Sequence, residues 1–121
     1  MRKLILAIDF DGTIAMENEV FPKIGEMLPD AKYFINELYG QGHTIIINTC
    51  RTGYYEGMAE NWLKEKGIKF NWINCNDPNR IREFKGDCRK ISADIYIDNR
   101  CLMGLPSWES IYRIVQKKLH T

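Results

Sequence analysis

Three short segments of the chain are almost wholly apolar: Leu4 to Ile8, Thr44 to Ile47 and Ile95 to Ile97. They lack in–out alternation, so they read as strands of a parallel sheet covered on both faces. A weaker strand is expected over about 69–73, where Phe70 and Trp72 alternate with Asn71, a pattern that suits a sheet edge. Helical spacing links Ala31, Phe34, Ile35, Leu38 and Tyr39, with Gly40 and Gly42 as stop signals and Pro29 and Asp30 suited to the first turn. Met58, Ala59, Trp62 and Leu63 mark a second helix ending near Gly67. Trp108, Ile111, Tyr112 and Val115 mark a last one, with Ser107 as N-cap and Glu109 favourable against the dipole. The polar stretch 76–90 reads as a loop with one short helix. Strands alternating with helices predict a doubly wound α/β domain: three α/β/α layers, Rossmann-like, around a mainly parallel central sheet.

At 121 residues the chain is expected to be one domain, 1–121, able to close a core without metal or disulfide staples. With 45% hydrophobic and 27% charged residues it reads as an ordinary globular protein. The net charge of +1 gives no overall field toward nucleic acid or a membrane. Arg80, Arg82, Lys85, Arg89 and Lys90 form a local basic cluster, read as a solvated helix face with a polyanionic partner as the sharper alternative. Cys50, Cys75, Cys88 and Cys101 form no C-x-x-C pair, so reduced thiols and a cytoplasmic location are expected. The apolar run after Arg2 and Lys3 is cut by Asp9 and Asp11, too soon for a signal peptide or a membrane span.

Those two acids change the picture. In open parallel sheets, ligands bind outside the carboxyl ends of the strands. Asp9 and Asp11 follow the first apolar run, Asn48, Thr49, Cys50 and Arg51 the second, Asn74, Asn76 and Asp77 the weak one, and Asp98, Asn99 and Arg100 the last. Asp9, Asp11 and Asp98 offer the oxygen ligands that Mg²⁺ prefers, and without a cation such carboxylates repel one another. Thr49 and Asn48 can donate to a phosphate, and Arg51 is either a substrate contact or an exposed loop arginine. Gly12 lets the chain turn sharply and approach a ligand. A lysine just before the last strand would neutralise phosphate and nucleophile; Lys90 is placed for this, with Lys85 as competitor.

These residues resemble the haloacid dehalogenase superfamily through four spaced motifs covering almost the whole chain. Asp9-Phe10-Asp11-Gly12-Thr13 matches the first, Thr49 the second, Lys90 the third and Asp98 the fourth. The resemblance implies a Mg²⁺-dependent phosphatase. Asp9 is then the nucleophile that becomes an aspartyl-phosphate, Asp11 the acid and base, and Thr49 and Lys90 the groups that hold the phosphate. Asp98 holds the metal with Asp9 and the backbone carbonyl of Asp11. Asn99 departs from the pattern, standing where many members carry a second acid. With about a dozen residues between the first motif and the first helical region, the chain resembles capless members with an open site. Such members act on large or extended phosphorylated substrates or complete their sites by forming homo-oligomers. Nucleic acid stays open as a partner although the net charge does not support it. A receiver-like phosphoacceptor module and a phosphate-binding pseudo-enzyme are the competing readings.

Overall fold

A computed structural model describes residues 2–120. Four strands, β1 (Ile5–Ile8), β2 (Thr44–Ile47), β3 (Trp72–Ile73) and β4 (Ile95–Ile97), alternate with four helices, α1 (Ala31–Gly40), α2 (Gly53–Glu65), α3 (Pro78–Phe84) and α4 (Trp108–Lys118). All pairings are parallel, in the order β3-β2-β1-β4. The expected Rossmann-like α/β domain without a cap is the fold observed.

The two central strands bear out their apolar runs: from its second residue onward each is buried on both faces. Leu6, Ile8, Ile45, Ile47 and Ile97 join Ile35, Leu38, Ala59, Leu63, Ile111 and Val115 in one large core, so α1, α2 and α4 pack toward the same mass. The other side of the sheet is thinner. There Ala7, Ile46 and Ile91 form a small cluster with Ile5 and Ala93 against it. α3 joins this side through Arg80, which donates to Ser92 and Asp94, and Asn76 of the preceding turn accepts from the Ser92 N–H. Among the described residues no helix is long and apolar enough to cross a membrane.

Local differences from the expected boundaries have identifiable causes. β3 is two residues long because Asn71 pairs with β2 through its side chain: Ile45 N–H donates to Asn71 Oδ1 at 2.7 Å, while Asn71 N–H donates to the Ile45 carbonyl at 2.8 Å. An amide side chain replaces a main-chain carbonyl there, so the regular ladder starts one residue later. Trp72 and Tyr96 are exposed because β3 and β4 are both edges. Pro29 and Asp30 lie before α1 rather than in its first turn, Asp30 occupying the N-cap position in a left-handed conformation (φ 65°) without a side-chain cap bond. Ser107 caps α4 as expected, accepting from Ser110 N–H. The one short helix expected within 76–90 is α3, capped by Asp77.

Candidate active site at the carboxyl edge of the sheet

Register places the site. Ile8 is level with both Ile47 and Ile97, and Ile47 with Ile73. The residues that follow are therefore level too, and their N–H groups continue the ladder: Asp9 donates to Ile97, Asn48 to Ile8 and Asn74 to Ile47. Asn74, Asn48, Asp9 and Asp98 form one polar row along the carboxyl edge, with Asp9 between Asn48 and Asp98.

Asp9 is half-buried. Its carboxyl is pushed up to about 6 by burial, then by the negative charge of Asp98 and, to a smaller degree, that of Asp11. The Phe10 N–H and the Thr13 hydroxyl, 3.3 Å from Asp9 Oδ2, pull the other way. Thr13 is fully buried and links two strand ends, because its Oγ1 also accepts from Asn99 N–H at 3.0 Å. Asp98 in turn accepts from the Arg100 N–H at 2.8 Å. Asp9 and Asp98 are the two carboxylates that could hold a hard divalent cation here, and such a charge would relieve the repulsion that lifts Asp9. Among the described residues no three His, Cys, Asp or Glu side chains gather as a ligand set. Mg²⁺ commonly takes one or two carboxylates and completes its shell with water and phosphate, which fits this pair.

The Asp11 carboxylate does not join them. Both of its oxygens accept from Arg51, Oδ2 from Nε at 2.7 Å and Oδ1 from Nη2 at 2.9 Å. Arg51 is not the exposed loop arginine of one expected reading: it is 3% exposed, and a substrate anion would meet its guanidinium only as the partner of Asp11. Its third donor reaches the Pro22 carbonyl at 2.8 Å, and its guanidinium lies 5.0 Å from the Phe21 ring centroid and 5.6 Å from that of Phe10. One side chain therefore fixes Asp11 and pins the segment after β1 to the loop after β2.

Thr49 stands on that second loop, its hydroxyl accepting from Arg51 N–H and its own N–H donating to Asn74. Asn74, in a left-handed conformation that Asn tolerates, also donates to the Arg51 carbonyl and to Glu56. Gly12, at φ 84°, makes its close approach to Asn99: a Cβ there would lie 2.3 Å from Asn99 Nδ2. Asn99 donates to Glu17, which also faces Arg100 at 3.5 Å. Lys90 sits over the Tyr96 ring, 5.0 Å from its centroid, and Lys85 caps the end of α3; the charges acting on Asp9 are those of Asp98 and Asp11.

Three contributors escaped the sequence reading. Thr13 was visible only as part of a motif, and Asn74 only as a polar strand end. Trp108, expected to pack, also donates its indole N–H to the Thr13 carbonyl at 2.9 Å. No spacing signals that bond, because 95 residues separate its partners. Beside Asp11 opens a cleft of about 210 Å³ lined by Glu17, Asn18, Phe21, Lys23, Arg51 and Arg100.

No family model matches the sequence, and no curated protein does. Among solved structures it is similar to a conserved protein from Bacteroides thetaiotaomicron, with 33% identity and a TM-score of 0.86, covering 97% of this chain and 93% of that one. At that identity over nearly the full length of both, this chain belongs to the same family as the Bacteroides protein.

Proposed function

We propose that the protein is a Mg²⁺-dependent phosphatase that works through an aspartyl-phosphate on Asp9. One observation carries this reading: Asp9 lies in the polar row beside Asp98, held by Thr13 at the point where ligands enter a parallel sheet. Asp9 and Asp98 would hold Mg²⁺, which would supply positive charge to offset the negative charge on the transferring phosphoryl group. With its carboxyl at about 6, Asp9 is mostly ionised at neutral pH and able to attack. An Asp9 oxygen bonds to phosphorus as the ester P–O bond breaks, and the leaving oxygen takes a proton that Asp11 has picked up from solvent once a bond to Arg51 opens. Water then attacks the phosphoryl group, Asp11 takes its proton, and the bond to Asp9 breaks to release phosphate. Thr49 donates to a phosphoryl oxygen. Asp11 reaches the leaving oxygen only after one of its bonds to Arg51 opens, and an anion in the adjacent cleft gives the guanidinium an alternative partner.

The Arg51 clamp also favours a second reading, a protein that binds phosphate without turning it over. Hydrolysis of a generic aryl phosphate separates the two. The wild type with Mg²⁺ is expected to turn it over, and Asp9→Asn or chelation should lower the rate by roughly a thousandfold or more. Hydrolysis that survives Asp9→Asn defeats the phosphatase proposal; phosphate binding without hydrolysis selects the second reading.

A further inference from the structure

The cleft beside Asp11 is bordered by features that the proposed phosphoryl chemistry does not use. Phe21, on its wall, is 60% exposed, and its ring meets Tyr55 edge-on at 5.2 Å. Tyr55 meets Tyr54 at 6.0 Å, and Tyr54 is 80% exposed. Three aromatic rings thus run outward from the cleft, from the segment after β1 to the start of α2. Arg51 anchors the inner end, lying over Phe21 while it holds Asp11. Two further cations line the same cleft. Lys23 is exposed, and Arg100 faces Glu17 only in an exposed pair at 3.5 Å, a contact weak enough for an anion to displace.

We propose that this cleft takes a nucleotide, with its base stacked on the Phe21–Tyr55–Tyr54 rim, its phosphates drawn to Lys23 and Arg100, and its phosphomonoester directed to Asp9. The inference rests on the phosphatase reading for the last part only. A base-free sugar phosphate would leave the rings in water, whereas a nucleotide covers them with a flat π-face. Such stacking is worth about 1–3 kcal/mol per base, or roughly fivefold in affinity at its lower end. An open site needs grip beyond the phosphoryl group, and stacking provides it without a lid. A free nucleotide and the phosphorylated end of a strand share this chemistry. The strand end adds a neighbouring phosphodiester for Lys23 and Arg100.

Binding is measured with the full chain carrying Asp9→Asn, in Mg²⁺, by calorimetric titration. The probes are ribose 5-phosphate, nucleoside 5′- and 3′-monophosphates, short oligonucleotides phosphorylated at either end, and a phosphotyrosine peptide. A nucleotide, free or as a strand end, should bind at least about fivefold more tightly than ribose 5-phosphate. Tyr54→Ala combined with Phe21→Ala should bring that ratio toward one, and Tyr54→Trp should keep it. Tighter binding of the oligonucleotide, lost steeply with salt, assigns the strand end; equal or tighter binding of the mononucleotide assigns the free form. Equal affinity for ribose 5-phosphate and every nucleotide probe overturns the inference. So does a preference that persists in the double variant, or tighter binding of the phosphopeptide. Wild-type turnover distinguishes the two proposals. Nucleotide binding with no ester hydrolysed removes the phosphatase and keeps the inference, whereas hydrolysis with no nucleotide preference does the reverse.

Discussion

A half-buried carboxylate beside a second one is a liability for folding. The Asp9 carboxyl stands at about 6 in the folded chain against 3.8 as the ordinary value, so between those limits the folded state holds the extra proton. Stability from this group is therefore lost as pH rises from about 4 to 6, and the penalty persists at neutral pH. Asp9→Asn removes the charge, so in chelator it should stabilise the protein at pH 7 by about 1 kcal/mol, after discounting for the solvent that screens a half-buried group. The gain should shrink toward zero near pH 3.5. Urea midpoints of wild type and variant at both pH values check this, and an equal gain at both would remove the electrostatic account. Residue by residue, Asp9, Asp11 and Asp98 were legible because acids at the end of buried strands have few uses. Arg51 was not, because nothing in Asn48-Thr49-Cys50-Arg51 says whether a loop arginine turns outward or folds back onto Asp11.

At the scale of elements, the central strands were the easiest part to read and the edges the hardest. β1 and β2 are buried on both faces, so their composition alone marks them, whereas the β3 ladder depends on an asparagine side chain that no propensity describes. The turn between α1 and β2 shows the same limit. His43, in that turn, is 2% exposed and accepts from Leu4 N–H through Nδ1 at 3.1 Å. The ring proton then lies on Nε2, which is buried without a partner among the described residues. A second proton on Nδ1 would face the Leu4 N–H directly. Burial, then the charge of Lys3, lowers the His43 pKa below its ordinary 6.5. The unfolded chain therefore binds the extra proton first, and stability from His43 is lost as pH falls through about 6.5. His43→Asn keeps an acceptor close to Nδ1 and removes the titration. The fall in melting temperature between pH 7 and pH 5 should be smaller in the variant than in the wild type; parallel curves would contradict it.

Across the whole molecule, the C-terminal helix and the first strand end form one mechanical unit. Trp108 opens α4, is 2% exposed, and donates to the carbonyl of Thr13, whose hydroxyl holds Asp9 and Asn99. The packing of α4 over the core and the position of the strand-end row are therefore coupled through this bond. Trp108→Phe retains an aromatic ring in the core but leaves the Thr13 carbonyl without the indole donor. An orphaned buried acceptor costs about 1–3 kcal/mol, and loss of part of the indole packing adds to it. The urea midpoint should fall accordingly. If the bond also sets the position of Thr13, hydrolysis measured well below that midpoint should fall by more than the unfolded fraction explains. A variant that loses stability yet keeps full activity per folded molecule would make Trp108 a core residue alone. A stable variant with reduced activity would assign the bond to placing Asp9 rather than to holding the fold.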